Sequence, residues 1–134
     1  GDVRMVMAHS STMIGTDGLD RGSKPHPRAW GTYPRVLGKY VREEGVISLE
    51  NAIYKMTHMP AAKFRIANRG LVKEGYFADL VLFDPDTVID RATYEDSRVG
   101  PAGIPYVIVN GKFAVKDGEH AESRSGRALR RGQI

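Results

Sequence analysis

The sequence contains no cysteine. That excludes disulfides, thiolate metal sites and a cysteine nucleophile within its 134 residues. It also fits a reducing compartment, so a cytoplasmic location is the expectation. No window approaches 18 uncharged apolar residues, which excludes a transmembrane helix and gives no reason to expect a membrane partner. No basic-then-apolar leader is visible, and the chain opens on Gly1-Asp2 rather than Met, which reads as a cut end. Aromatic residues are sparse, at 8%. Trp30, Tyr33 and Tyr40 are not interleaved with basic residues, so packing explains them better than stacking on bases. The four histidines, His9, His26, His58 and His120, form no H-x-H or H-E-x-x-H pair. Local spacing therefore assembles no metal site. His9 and His58 read as helix-end residues. No Gly-Lys-Ser/Thr follows Gly15, Gly18 or Gly22, so a phosphate-binding loop is not expected. Ser10 and Ser11 lack a Gly-x-Ser-x-Gly frame, which argues against a serine nucleophile. The net charge of +4 is modest, and its clear excess lies at Arg124, Arg127, Arg130 and Arg131. A solvated tail explains that excess without a nucleic-acid partner.

What remains is ordinary globular material, 41% apolar and 27% charged. The length suits one domain or a piece of a larger one, with enough chain to bury a core. Residues 2–9 read as a short helix. Met13-Ile14-Gly15-Thr16 is a short apolar run closed by Asp17-Gly18, and reads as a buried strand entering a turn. Residues 18–33 are dense in Gly and Pro and predict a long loop. Pro34 suits the first position of a helix, with Val36, Leu37, Tyr40 and Val41 at helical spacing and Gly45 as the stop. Ser48 predicts the N-cap of a helix over 49–58. Pro60 ends that helix and starts a third, Ala61 to Ile66. After Gly70 the pattern turns to β: a strand over 78–84, a further strand at Val88-Ile89, and a strand over 106–109. Asn110-Gly111 is a two-residue hairpin turn, Phe113-Ala114-Val115 is the return strand, and Asp117-Gly118 turns again.

Two places carry candidate chemistry. Asp17 follows a predicted strand directly. It reads either as an Asp-Gly turn residue bonding its own backbone or as a carboxylate placed for acid–base work or metal binding. In Lys24-Pro25-His26-Pro27-Arg28, two prolines fix the backbone on either side of His26. Arg28 there is either a surface arginine or a bidentate partner for a carboxylate.

Taken together, these segments resemble the C-terminal part of the N-acyl-D-amino-acid deacylases (D-aminoacylases), in the amidohydrolase superfamily. The most specific stretch is Thr12-Met-Ile-Gly-Thr-Asp17-Gly18 with His26-Pro-Arg-Ala-Trp-Gly-Thr-Tyr-Pro-Arg-Val-Leu-Gly38. Leu49-Glu-Asn-Ala-Ile-Tyr-Lys-Met-Thr57, Pro60-Ala61 and Val109-Asn-Gly111 agree with it. The Gly70-to-Asp84 stretch, with Ala78-Asp79-Leu80-Val81, is similar to many amidohydrolases, dihydroorotases and hydantoinases included. The resemblance implies an α/β fold: the last strand and closing helices of a metal-dependent (β/α)8 barrel, followed by strands of a small β-sandwich. On it, residues 1–69 end the barrel, 70–120 are the β-sandwich strands, and 121–134 are a basic tail. Asp17 matches the catalytic aspartate, which in the family takes a proton from the metal-bound water, passes it to the leaving amine, and sometimes touches the metal. Arg28 matches the clamp on the substrate carboxylate, and His26 beside it is a further substrate-binding candidate. The cofactor implied is Zn2+, with its main ligands upstream in a longer parent, because a full barrel needs about 250 residues. The partners implied are a small N-acyl-D-amino acid and the remainder of the barrel. The expected reaction is hydrolysis of a linear amide to a carboxylate and a D-amino acid, with this piece inactive alone. A cyclic-amide hydrolase and a non-catalytic binding module are the alternatives.

Overall fold

The computed structural model describes residues 1–130, so Arg131, at the end of the basic tail, lies outside the described residues. The chain divides into two compact units that alternate along the sequence. The first comprises Gly1–Met56 and Asp84–Gly103, and the second comprises Thr57–Phe83 and Ile104 onward. Gly70, where the composition changes, lies inside the second unit.

In the first unit, α1 spans Asp2–Ala8. Residues 12–17, expected as a strand, carry no ladder among the described residues. A strand needs a neighbour to take its alternate N–H and C=O groups; here the Thr12 N–H turns back to the His9 carbonyl at 3.3 Å and the Ile14 N–H meets the Lys55 carbonyl at 3.2 Å, with no strand alongside among the described residues. The segment is half-buried at residues 12–14 and open at Gly15 and Asp17. The loop expected over 18–33 ends sooner, because α2 spans Arg28–Arg35. Pro34 is therefore interior to a helix and buried, not its first residue. Proline has no N–H and crowds the carbonyl four residues back. Directly after it the helix widens into a π-helical stretch, Val36–Glu43, whose wider turn is seen where the Glu44 N–H meets the Lys39 carbonyl at 2.9 Å. The predicted apolar spacing holds: Val36 and Leu37 are buried together with Ile47, Ala52 and Val88.

Helix α3 spans Leu49–Met56, two residues shorter than expected. Ser48 caps it as its sequence position implies, its Oγ accepting the Asn51 N–H at 3.2 Å. Val88-Ile89 does not form a strand; Ile89 makes a single antiparallel bridge to Ala102. Gly38 explains how closely that segment approaches the helix. A Cβ there would lie 2.4 Å from Ile89 Cδ1 and 2.5 Å from the Val88 carbonyl oxygen. Arg42 reinforces the contact by donating to the carbonyls of Val88 at 2.7 Å and Pro85 at 3.1 Å.

In the second unit, α4 spans His58–Phe64, starting before Pro60 rather than at it. Proline is tolerated there because the first-turn N–H groups have no partner in the helix. The sheet follows the order β1-β2-β3-β4, all antiparallel: β1 Leu80–Leu82, β2 Tyr106–Val109, β3 Lys112–Lys116 and β4 Glu119–His120. Asn110 and Gly111 have φ of 48° and 78°, and Asp117 and Gly118 have 54° and 82°. These are the values that two-residue hairpin turns require and that Asn, Asp and Gly tolerate. The pair β3–β4 is one more hairpin than the sequence reading contained.

Arg69, only 9% exposed, organises this unit. Its guanidinium pairs with Asp79, donates to Asn110 Oδ1 at 2.6 Å and lies 4.2 Å over the Phe77 ring. Asp79 in turn accepts the Asn110 N–H at 2.8 Å. Burial, and then the charge of Arg127, hold Arg69 below the ordinary arginine value.

Candidate functional site

All three residues singled out in the sequence lie in the first unit, and the fold brings them together. Asp17 has φ of 46°, a left-handed conformation that aspartate adopts more readily than most residues. Gly18 follows because a Cβ there would stand 2.8 Å from Ala29 Cα, in the first turn of α2. That approach sets the end of the extended segment against the start of the helix. Arg28, the first residue of α2, reaches back across it. Its Nε donates to the Asp17 carbonyl at 2.9 Å, and its Nη2 pairs with Asp17 Oδ2 at 2.9 Å. The Asp17 side chain is 83% exposed and the Arg28 side chain 42%. A pair this exposed is worth only about 0–1 kcal/mol, so another carboxylate can displace Asp17 from the guanidinium at small cost.

His26 sits against the same turn. Its Nδ1 accepts the Arg28 backbone N–H at 3.0 Å. A neutral ring that accepts at Nδ1 carries its proton on Nε2, and Nε2 stands 3.0 Å from Tyr94 Oη. The two rings meet edge to face at 5.0 Å. The backbone carbonyls of His26 and Pro27 take the N–H groups of Ala29, Trp30 and Gly31. The Pro-His-Pro-Arg run is thus the physical start of α2, which the sequence reading placed six residues later.

Beside these residues lies a cleft of about 340 Å³, with His26, Arg28 and Arg35 on one side and Asp90 and Tyr94 on the other. Arg35 and Asp90 form an ion pair of 3.0 Å, with the Asp90 side chain only 10% exposed. That hydrogen bond holds Arg35 above the ordinary arginine value. Gly31 leaves the room for it, since a Cβ there would meet Asp90 Cβ at 3.0 Å.

The supports of this turn come from far along the chain, where local sequence pattern gives little sign of them. Arg98 clamps the loop before α2 through Asp20 Oδ1 at 3.0 Å, the Gly22 carbonyl at 3.0 Å and the Ser23 carbonyl at 3.2 Å. Tyr94 and Arg98 lie in a stretch that reads as irregular, and no local pattern ties them to residues about 70 positions earlier. Lys55 is 1% exposed, and its Nζ donates to the His9 carbonyl at 2.5 Å, the Thr12 carbonyl at 2.9 Å and Thr12 Oγ1 at 3.2 Å. It pins the segment that leads to Asp17. The one signal was a lysine three residues after Ala52 on the buried face of α3.

Among the described residues, no three His, Cys, Asp or Glu side chains gather as a metal would require. Asp17 is a single carboxylate already shared with Arg28. These residues therefore do not by themselves make up a metal's donor set. Among the described residues, no helix is long and apolar enough to cross a membrane.

Comparison with known proteins gives one consistent family. A D-aminoacylase of Alcaligenes xylosoxydans xylosoxydans is 49% identical over 97% of this chain and 27% of its own length. A crystal structure of D-aminoacylase superposes with a TM-score of 0.93 at 51% identity, over 97% of this chain and 27% of the other. The N-acyl-D-glutamate deacylase of Bordetella bronchiseptica, solved with zinc and a phosphonate mimic of the tetrahedral intermediate, gives 0.89 at 44% identity. That match covers 96% of this chain and 27% of that one. The chain thus spans about a quarter of the length of the proteins it resembles. The amidohydrolase family model matches residues 3–115, well over half of the sequence, and the chain belongs to the amidohydrolase family.

Proposed function

We propose that these 134 residues are the C-terminal part of a zinc-dependent hydrolase. That enzyme cleaves the linear amide of N-acyl-D-amino acids to a carboxylate and a free D-amino acid. Residues 12–17, which have no strand beside them here, serve as the last strand of its barrel against neighbours outside this chain, residues up to 69 close it, and the strands after Gly70 belong to its small β-sandwich. The observation that carries the reading is the meeting of Asp17 and Arg28 at 2.9 Å across the start of α2. Kinship with D-aminoacylase and N-acyl-D-glutamate deacylase supports it. We assign the zinc ligands to residues outside this chain, with Asp17 as at most an additional contact.

In this reading Arg28 presents two N–H groups to the α-carboxylate of the substrate, a bidentate geometry that suits a planar anion. Asp17 gives up its pairing with Arg28 as the substrate carboxylate takes its place. Its Oδ2 is then free to accept a proton from the attacking water and to deliver it to the leaving nitrogen. His26 holds the first turn of α2, from which Arg28 projects. A free α-carboxylate is present in an N-acyl amino acid and absent from a cyclic imide, so Arg28 favours the linear substrate.

The test is hydrolysis of N-acetyl-D-amino acids, their L-enantiomers and a hydantoin by the full-length protein. We expect turnover of the D-series alone. Asp17→Ala should lower kcat by about 10²–10⁴, the range for loss of a general acid–base. Arg28→Ala should act mainly on KM. Turnover of the hydantoin without the N-acetyl-D-amino acids would transfer the assignment to cyclic amides. Salt-sensitive DNA binding lost on deleting residues 122–134 would replace it with a binding module.

A further inference from the structure

Tyr94 is 67% exposed, so its phenol is not there to fill a core. It nevertheless makes two directed contacts with one ring: its Oη stands 3.0 Å from His26 Nε2, and the rings meet at 74°. The other nitrogen of that ring accepts the Arg28 N–H at 3.0 Å. Arg28 begins α2 and sends its guanidinium to Asp17. The links run in series: phenol to imidazole, imidazole to backbone amide, and amide to the residue whose side chain faces the substrate.

We propose that Tyr94 is a positioning residue for Arg28, acting through His26 to set where the guanidinium receives the substrate α-carboxylate. The inference rests on the deacylase reading of Arg28. With both ring nitrogens engaged, the imidazole has one orientation that satisfies Arg28 N–H and Tyr94 Oη together, and a ring flip breaks both bonds. Without the phenol oxygen, Nε2 turns to water and that orientation is no longer selected. The first turn of α2 then loses a fixed acceptor at the residue that binds substrate. Tyr94 itself is held by a turn of its own segment, in which the Thr93 N–H meets the Asp96 carbonyl at 2.9 Å and Thr93 Oγ1 accepts the Asp96 N–H at 3.0 Å. Arg98 anchors the same segment to Asp20.

The experiment is steady-state kinetics of the full-length protein and its Tyr94→Phe variant, which keeps the ring and removes one oxygen. On an N-acetyl-D-amino acid, KM should rise about three- to tenfold, the effect of one net hydrogen bond, with kcat within about twofold. On the matching N-acetyl-D-amino acid amide, which lacks the carboxylate, the two proteins should agree. In an Arg28→Ala background, Tyr94→Phe should add nothing, since the residue it positions is gone. His26→Ala should reproduce the KM effect. The ¹⁵N signature of His26 should report Nε2–H in the parent and a mixed state in Tyr94→Phe. An unchanged KM, an equal change on the amide substrate, or full additivity with Arg28→Ala overturns the proposal. A parent protein with no turnover of any N-acyl-D-amino acid overturns the deacylase reading instead. The ¹⁵N signature then decides alone whether Tyr94 governs the His26 ring.

Discussion

Replacing Lys55 by Met should loosen the segment that carries Asp17 far more than it disturbs α3. Methionine keeps the unbranched apolar stem, so the packing of the buried side chain is largely retained. What is lost is the ammonium and its hydrogen bonds to the His9 and Thr12 carbonyls and to Thr12 Oγ1. Hydrogen bonds from a charged donor contribute about 1.5–3 kcal/mol each. Relief from holding an ion out of water returns a few kcal/mol. A net local loss of about 2–4 kcal/mol follows from these two magnitudes. The probe is hydrogen exchange in the full-length protein. The Ile14 N–H, bonded to the Lys55 carbonyl at 3.2 Å, reports the segment directly. At 1.4 kcal/mol per decade, its exchange should quicken by about 30- to 700-fold. Lys24→Met, at an exposed loop lysine, should leave it within about threefold, as surface substitutions change stability by about 0.5 kcal/mol. If Lys55→Met and Lys24→Met leave the same protection at residues 12–16, Lys55 does not hold the segment and the reasoning fails.

Three further outcomes are expected. Gly38→Ala should destabilise by about 1–3 kcal/mol, because its Cβ would meet the Val88 carbonyl oxygen at 2.5 Å and the bridge at Ile89 must shift; thermal unfolding measures it. Arg69→Leu should cost about 3–5 kcal/mol, since it leaves Asp79 without its cation and Asn110 Oδ1 without its donor, and urea titration followed by tyrosine fluorescence reads the loss. Hydrogen bonding from Arg4 holds the Glu44 carboxyl below its ordinary value of 4.5. The stability this pair contributes is therefore present above 4.5 and lost as pH falls through the lower folded value. Arg4→Ala should flatten that acid limb in urea titrations run from pH 6 to pH 3, and an unchanged limb would count against the pairing.

Much of this was legible in the sequence because it rests on local rules. Asn110-Gly111 and Asp117-Gly118 dictate left-handed turns at particular positions, and the strands beside them follow. Ser48 marks its helix because a hydroxyl at that position has an orphan N–H to satisfy. Asp17 and Arg28 could be paired in advance only through resemblance, since nothing in an eleven-residue spacing brings an exposed carboxylate to a helix start. Where structure and sequence pattern differ, the deciding partners lie outside the local run. Pro34 suggested a helix start, but a histidine acceptor and two free carbonyls already begin the helix at Arg28. The run 13–16 is apolar like a strand, yet strand formation depends on neighbours that a single segment does not encode. Lys55, Tyr94 and Arg98 act across 43 to 78 residues, beyond any periodic signal.

The alternation of the two units also sets an order in time. His26 leaves the ribosome 68 residues ahead of the tyrosine that orients it, a lag of about 3–14 s at ordinary rates of synthesis. Through that interval the stretch Thr57–Phe83 of the second unit is made while the loop before α2 still lacks its clamp. A nascent chain arrested before Arg98 therefore exposes that loop to proteases and chaperones, whereas one released a few residues later does not. The turn that carries Arg28 is made well before the residues that complete its support.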